Sequence, residues 1–254
     1  MLIQYCSDLH QEFYTNRRWL TDHPLRPEGD ILIIAGDTHP LGKEFGRLRL
    51  WDYLAKNFRE TYVLPGNHEY YGGYNVATSL TPTKEPIRQN VWLVNNCVIE
   101  KPAVRLVFTT LWSRIEKYVA DILLGMSDFR KIRYDGKVIG IEHYNQLHAY
   151  ALSFLKKTLQ TQSTKKLVVV SHHLPSERCN DEAYRGSALN EAFCVDLTPL
   201  IQKAPIDTWV YGHSHRNVEA FELGGTRMLT NQLGYVNLGE HTHFRTNASV
   251  YLGE

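Results

Sequence analysis

The clearest pattern in the sequence is a series of short apolar runs, each bounded by polar or turn-forming residues. These runs are rich in Ile, Val, Leu and Tyr, and they are shorter than an ordinary helix. They occupy residues 2–6, 31–35, 62–64, 91–94, 104–108, 167–170 and 208–211. Because neither face of such a run is polar, the pattern predicts strands that are buried on both faces.

Helical periodicity lies between some of these runs. One apolar stripe consists of Phe45, Leu48, Trp51, Ala55 and Phe58. A second stripe consists of Tyr144, Leu147, Ala151, Leu155 and Leu159. Spacings of three and four residues place each stripe on one face of a helix, and two lysines near the end of the second stripe suit a helix C-terminus.

Strands that alternate with helices indicate an α/β fold built from layers of sheet and helix. Residues 217–231 differ, because they read as a hairpin that turns at Gly224-Gly225. We therefore expect mixed sheets with an antiparallel part near the C-terminus, so that the class is α/β with α+β character. No repeat, low-complexity segment or linker divides the chain, which predicts a single domain over residues 1–254.

Two segments carry no strong period, at residues 113–140 and 174–194. Both are polar and contain several Arg and Tyr. Long loops in a compact domain are commonly lids or specificity elements, which predicts cap-like segments over a site. The alternative is that both are surface excursions without a function.

Composition and charge exclude several classes of protein. The chain is 43% hydrophobic and 22% charged, as expected for a globular protein, and its net charge is +1. The net charge does not indicate a nucleic-acid-binding surface, and the sequence contains no stripe of Lys and Arg with interleaved aromatic residues that would bind a polynucleotide. Four cysteines match no zinc or disulfide spacing, and no apolar run is long enough to span a membrane. We therefore expect a cytoplasmic protein with reduced thiols.

Polar side chains follow five of the apolar runs at the point where each run ends. The candidate ligands are Asp8, His10, Asp37, Asn67, His172, His213 and His215. Because ligands bind at the carboxyl ends of strands in α/β sheets, these side chains are expected to meet there. Carboxylate, carboxamide and imidazole groups are ligands of first-row transition metals. Each motif alone is also typical of a simple turn, but their joint occurrence favours a metal site.

The number of candidate ligands favours two metal ions. One tetrahedral ion needs about four ligands, and seven suffice for two ions if one carboxylate bridges them. Two-metal sites clamp the attacking and leaving oxygens of a displacement, so a phosphate ester is the expected substrate. The sequence contains neither the Gly-x-Ser-x-Gly of serine hydrolases nor a P-loop, which argues against both classes.

These motifs together resemble the calcineurin-like metallophosphoesterase superfamily. The series is Asp8-x-His10, Gly36-Asp37, Gly66-Asn67-His68-Glu69, His172 and Gly212-His213-x-His215. The resemblance implies a four-layer αββα sandwich with a dinuclear site at the sheet edge. "TTLWSR", "MSDFRKIR", "SHHLPS", "GSALNEAF" and "NLGE" are similar to a subgroup of small cytosolic bacterial members.

The resemblance also implies individual roles. Asp8, His10 and His215 would bind one metal ion, and Asn67, His172 and His213 the other, with Asp37 as the bridge. Imidazole and carboxylate ligands suit Mn, Fe, Zn, Co or Ni, and Mn, Fe or Zn are the expected ions. A hydroxide between them would attack phosphorus, and His68 would be the general acid. We expect Asp8 or Glu69 to tune the pKa of His68.

Other residues are assigned by weaker arguments. Asn67, His68 and Arg130 are predicted to bind the substrate, with Asp128 orienting an arginine. His39 and His173 are expected to pack or to form hydrogen bonds, and residues 240–243 to form a surface strand.

Two departures from the family pattern stand out. Pro40 removes a supporting acceptor at the end of the Gly-Asp-x-x-Asp pattern. The turn at residues 231–235 lacks the usual Pro, yet it is expected to survive, because its Gly and Tyr are retained.

The substrate and the activity remain less defined than the site. Phosphate monoesters, phosphodiesters and small molecules such as nucleotides all suit the implied chemistry, and neither a membrane nor a nucleic-acid partner is expected. The oligomeric state leaves no signature in the sequence. The alternative function is a non-catalytic, metal-binding scaffold of the same fold.

Overall fold

A computed structural model describes residues 1–253, which form fourteen strands and seven α-helices. The strands are β1 (Leu2–Cys6), β2 (Ile31–Ala35), β3 (Glu60–Leu64), β4 (Thr83–Arg88), β5 (Val91–Asn95), β6 (Cys97–Glu100), β7 (Val104–Thr109), β8 (Arg133–Tyr134), β9 (Lys137–Val138), β10 (Lys166–Ser171), β11 (Thr208–Tyr211), β12 (Phe221–Leu223), β13 (Thr226–Thr230) and β14 (Ser249–Tyr251). The helices are α1 (Tyr14–Asp22), α2 (Arg49–Asn57), α3 (Val119–Gly125), α4 (Asp128–Lys131), α5 (Ile141–Leu159), α6 (Asn190–Phe193) and α7 (Thr198–Ile201).

Twelve of the strands form two mixed sheets of six. The first sheet has the order β14-β1-β2-β3-β5-β4, and the second has the order β12-β13-β11-β10-β7-β6. In each sheet four parallel strands lie in the middle and an antiparallel strand lies at each edge. The parallel centre explains why the predicted strands are apolar on both faces.

The two sheets pack face to face, and helices cover their outer faces. The largest apolar cluster lies between the sheets and includes Tyr62 of the first sheet and Phe108 of the second, whose ring centroids are 5.5 Å apart. Trp51 of α2 packs on the outer face of the first sheet, and Leu155 of α5 on that of the second. These layers confirm the predicted αββα sandwich.

The sequence pattern located most of these elements. All seven predicted strands exist, and β1, β2 and β11 have the predicted bounds. The second stripe forms α5, whereas the first forms α2 preceded by a short 3-10 turn at Phe45–Arg47. The hairpin turns as predicted, because Gly224 and Gly225 have positive φ angles of 60° and 88° that suit a two-residue loop.

The segments without a period are more ordered than their sequence suggested. Residues 113–140 contain α3, α4 and the β8–β9 hairpin, and residues 174–194 contain α6. Trp112, Ile122 and Phe129 pack with Tyr144 of α5 in an apolar cluster of their own. Helices of four to seven residues are too short to show a helical period, which explains the difference.

One predicted element is wrong. Residues 240–243 form a 3-10 turn rather than a surface strand.

Across residues 1–253, the helices do not combine the length and the apolar character that crossing a lipid bilayer would require.

We expect Phe108→Ala to lower the free energy of unfolding by about 3–5 kcal/mol, because it leaves a cavity between the sheets. Leu124→Ala is the control, since this side chain is 80% exposed and should change the stability by less than about 0.5 kcal/mol. Urea unfolding of both variants in excess chelator measures the difference. Equal stability of the two variants would contradict this account of the core.

Candidate metal centre

The candidate ligands follow strands whose carboxyl ends converge at one edge of the sandwich. Strands β1, β2 and β3 belong to the first sheet, and β10 and β11 to the second. Five of the ligands lie in tight turns with left-handed backbone conformations. They are Asp8, His10, Asp37, His213 and His215, with φ angles of 56°, 45°, 55°, 78° and 54°. Such backbone conformations are unfavourable for residues other than glycine, and they cluster at functional sites.

Four side chains form what we call the first ligand group: Asp8, His10, Asp37 and His215. Their ligand atoms all lie within 4.8 Å of one another, and none of the four side chains is exposed. The Nε2 atoms of His10 and His215 are 2.9 Å apart. Asp8 Oδ1 is 3.5 Å from His215 Nε2, and Asp37 Oδ2 is 3.8 Å from His10 Nε2.

The second ligand group consists of Asp37, Asn67, His172 and His213. His172 Nε2 lies 3.3 Å from Asp37 Oδ1, 3.1 Å from Asn67 Oδ1 and 3.1 Å from His213 Nδ1. Asp37 therefore presents one carboxylate oxygen to each group. The structure brings the seven candidate ligands together in two groups that share Asp37.

The protonation of the imidazoles leaves lone pairs directed at one another. His10 Nδ1 donates to Glu12 Oε1, and His215 Nδ1 donates to Glu240 Oε2, at 2.9 and 2.8 Å. In the neutral form of a ring that donates through Nδ1, the Nε2 atom carries no proton. Two lone pairs at this distance repel unless a cation lies between them. The donor set therefore fits metal ions, which is the arrangement expected for histidine ligands held by carboxylates.

Burial supports the same conclusion. Burial and the nearby His68 lower the pKa of His10, while burial and His173 lower the pKa of His213. These rings are held neutral, which is the form that binds a metal ion. Burial alone would lower the pKa of His172, but the Asp37 carboxylate raises it to about 9. A proton and a metal ion therefore compete for His172 Nε2.

Two glycines leave the space that the ligands occupy. A Cβ atom on Gly66 would lie 2.6 Å from His172 Nε2. A Cβ atom on Gly212 would lie 2.7 Å from Asp8 Oδ2. Atoms cannot approach this closely without displacement, so the glycines of these motifs are required by the ligands themselves.

A buried carboxylate supports the loop that carries Asp37. Glu69 accepts hydrogen bonds from the backbone N–H groups of Asp37, Thr38 and Gly66, at 3.0, 2.6 and 2.6 Å. Burial and the neighbouring Asp37 raise the pKa of Glu69, while these backbone donors oppose the rise. Glu69 thus fixes the turn after β2 against the turn after β3.

His68 lies beside the first ligand group without joining it. Its Nδ1 donates to Glu12 Oε1 at 2.9 Å, and its Nε2 lies 3.4 Å from the hydroxyl of Tyr235. Burial lowers its pKa, but Asp37 and Glu12 more than offset burial and raise it. The expectation that Asp8 or Glu69 tunes His68 is wrong, because Glu69 is directed toward the backbone and Asp8 toward His213 and His215.

Asp128 orients the amide of Asn67 rather than an arginine, contrary to the prediction. Its Oδ1 accepts from Asn67 Nδ2 at 2.9 Å and from the hydroxyl of Tyr71 at 2.5 Å. This bond directs the amide oxygen of Asn67 toward His172. Arg130 turns away instead and donates to the carbonyl of Leu124 at 2.8 Å.

A cleft of about 360 Å³ opens over the two ligand groups. Both cap-like segments contribute to its walls, through Met126, Ser127 and Lys131 on one side and Tyr184 and Phe193 on the other. The lining residues include Asn67 and His68 but not Arg130. Lys131 holds its ammonium 4.8 Å from the centre of the Tyr71 ring, so the neighbour of the predicted arginine faces the cleft.

The turn at residues 231–235 survives without its proline, as predicted. Gly234 has a φ angle of 66°, and Tyr235 N donates to Glu240 Oε2 at 2.6 Å. The Tyr235 ring then lies 4.7 Å from the ring of His10. The chain near the C-terminus thereby closes the site over the first ligand group.

His39 and His173, which lie beside candidate ligands in the sequence, have structural partners, as predicted. His173 is fully buried, and its Nε2 lies 3.1 Å from the hydroxyl of Tyr144. His39 Nδ1 donates to the carbonyl of Pro40 at 2.8 Å.

Sequence reasoning missed three contributors to the site: Glu12, Glu240 and Lys131. Glu12 lies two residues after a ligand histidine, and this proximity was its only signal. Glu240 lies 25 residues from the histidine it holds, and no local pattern marks it. Lys131 lies next to the predicted arginine, and only the rotation of α4 decides which of the two faces the cleft.

Comparison with known sequences connects this geometry to a family. The family model of the calcineurin-like phosphoesterases matches residues 1–217, which contain all seven candidate ligands. An uncharacterised protein of Acanthamoeba polyphaga mimivirus is 28% identical over 280 residues, covering 98% of this chain and 95% of the viral protein.

Comparison with solved structures agrees on the fold. A phosphopantetheinyl hydrolase from Mycobacterium tuberculosis superposes with a TM-score of 0.71 at 16% identity, covering 98% of this chain and 95% of that one. A dimetal phosphatase from Danio rerio gives a TM-score of 0.53 at 14% identity, covering 100% and 93%. Because the family model spans most of the chain and includes the whole ligand set, the chain belongs to the calcineurin-like phosphoesterases, which are hydrolases of phosphoric ester bonds.

Proposed function

We propose that the protein hydrolyses small phosphate monoesters or diesters with two divalent transition-metal ions. The observation that carries this proposal is the pair of ligand groups that share the carboxylate of Asp37. Imidazole, carboxylate and carboxamide ligands suit Mn, Fe or Zn, and the set contains no thiolate.

Two sets of ligands would hold the two ions. Asp8, His10 and His215 would hold one ion, Asn67, His172 and His213 would hold the other, and Asp37 would contact both. When bound, such ions lower the pKa of water toward neutrality and offset the negative charge that develops on the phosphoryl oxygens. Glu12, Glu240 and Asp128 keep the ligand atoms directed inward.

His68 is the proposed general acid. Its Nε2 lies on the cleft side, and Asp37 and Glu12 favour its protonated form. As the bond between phosphorus and the leaving oxygen breaks, His68 gives its proton to that oxygen. The Tyr71 ring packs against His68 with 4.0 Å between centroids and limits its rotation.

The cleft favours a small substrate over a polynucleotide. Lys131 is the one Lys or Arg among its lining residues, and the other polar groups are mostly hydroxyls and amides. Five aromatic side chains complete the walls, namely Phe13, Tyr71, Tyr184, Phe193 and Tyr235. One cation suits a single phosphoryl group, whereas a nucleic-acid backbone needs a row of them.

A non-catalytic scaffold of the same fold is the alternative function. It is disfavoured because the complete ligand set and His68 are present and oriented toward one cleft.

The four cysteines are free thiols in the described part of the chain, which supports a cytoplasmic location.

We expect protein loaded with Mn²⁺ and then desalted to retain about two ions per chain, measured by elemental analysis. Asp37→Asn should lose most of the bound metal, because this carboxylate serves both groups. Asp22→Asn is the control, since Asp22 is an exposed acid paired with Arg18. Retention of less than one ion by the unmodified protein would contradict the metal centre.

We expect the Mn²⁺-loaded protein to hydrolyse bis-p-nitrophenyl phosphate or p-nitrophenyl phosphate. His68→Ala should lower kcat about 10- to 100-fold while the metal content stays the same, because only the proton donor is removed. His23→Ala, which removes an exposed histidine stacked on Trp19, should leave kcat unchanged. Bound metal without turnover of either ester would favour the scaffold.

We expect Lys131→Gln to raise KM about tenfold with little change in kcat, because a charged contact to the phosphoryl group is lost. Arg130→Gln is the matched control, since it removes the same charge from the adjacent position outside the cleft. Steady-state measurement of KM and kcat for both variants shows whether Lys131 or Arg130 contacts the phosphoryl group. The opposite result would restore the arginine as the substrate contact that the sequence predicts.

A further inference from the structure

One oxygen of Glu12 is shared by two histidines with different tasks. Oε1 accepts from His10 Nδ1 and from His68 Nδ1, both at 2.9 Å. The rings of these histidines meet edge to face, with 4.5 Å between centroids. A single carboxylate oxygen therefore connects a metal ligand to the proposed proton donor.

The shared oxygen determines which nitrogen of each ring is free. Both Nδ1 atoms must carry a proton, because an ionised carboxylate only accepts. His10 Nε2 is then directed to the first ligand group, and His68 Nε2 to the cleft.

The backbone around Glu12 is held in place independently of this contact. Arg17 Nη1 donates to the carbonyls of Gln11 and Glu12, at 2.5 and 3.0 Å. His10 itself has a left-handed φ angle of 45°, which turns the following residues back toward the site. The Glu12 side chain is 17% exposed, and its Oε2 is buried without a partner. The carboxylate is thus delivered to the two histidines by a rigid turn.

We propose that Glu12 is a positioning residue that holds His68 Nε2 toward the leaving group. This inference rests on the proposed function. It names a class of substrate, namely esters of poor leaving groups such as alkoxides, because these depend most strongly on a proton as they depart. Water adds to phosphorus, the ester P–O bond breaks, and its electron pair takes the proton of His68 Nε2. The proton released by the attacking water restores His68.

The test compares leaving groups in aryl phosphates that range from p-nitrophenol to p-methoxyphenol. Glu12→Gln keeps the size of the side chain but removes its charge. We expect kcat/KM to fall about threefold for p-nitrophenyl phosphate and about 30-fold or more for p-methoxyphenyl phosphate. His68→Ala should change the dependence on the leaving group in the same way, and the double variant should add little.

Glu240→Gln is the matched control. Glu240 holds His215 in the first ligand group as Glu12 holds His10, yet it has no hydrogen bond to His68. Its loss should lower kcat/KM by the same factor for every leaving group. Elemental analysis of each variant separates any loss of metal from the loss of proton transfer.

A second measurement does not depend on activity. In protein labelled with ¹⁵N-histidine, the Nδ1–H proton of His68 should give a downfield resonance, as expected for a hydrogen bond to a carboxylate. Glu12→Gln should shift the resonances of His68 and His10, whereas Glu240→Gln should shift that of His215. A chain without turnover would refute the proposed function, and the spectra would still decide whether Glu12 holds His68.

Two results would overturn the inference. One is a Glu12→Gln variant whose rates depend on the leaving group as those of the unmodified protein do. The other is a His68 resonance that Glu12→Gln leaves unchanged. Either result would reduce Glu12 to a residue that orients His10 alone.

Discussion

The repulsion among buried imidazole lone pairs is the constraint on which the rest of this structure depends. The Nε2 atoms of His10 and His215 face each other across 2.9 Å. Such an arrangement is unfavourable without cations, and the fold holds it in place with strained turns and strand ends from both sheets. Five left-handed backbone conformations at ligand positions show how strongly the surrounding sandwich determines their geometry.

A layer of carboxylates behind the candidate ligands orients them toward the metal site. Glu12 accepts from His10 Nδ1, and Glu240 accepts from His215 Nδ1. The Nε2 atoms of both rings are therefore left for metal ions. Asp128 performs the same task for the amide of Asn67. Glu69 satisfies the backbone of the loop that carries Asp37. Of these four groups only Glu240 lines the open cleft, yet together they orient His10, His215, Asn67 and the Asp37 loop.

The ligands could be predicted because they follow apolar strands and because few other side chains bind transition metals. A left-handed turn after a strand leaves little choice of residue, so Asp8, Asp37 and His213 are recognisable from their local context. The supporting residues carry no such signal. Glu240 is an ordinary acidic residue on a short 3-10 turn, and its partner His215 is 25 positions away. The sequence suggests an arginine as the partner of Asp128, but its partners in space, Asn67 and Tyr71, lie far from it in the chain.

The sequence by itself indicated the layered α/β class, most of the strands of both sheets and the seven candidate ligands. These features follow from apolar periodicity and from side-chain chemistry, which are local properties of the chain. Only the tertiary structure decided that Glu12 is shared by His10 and His68, and that Lys131 faces the cleft in place of Arg130. Both depend on the rotation of a short turn or helix against the sandwich. That rotation is set by packing between segments that lie far apart in the chain.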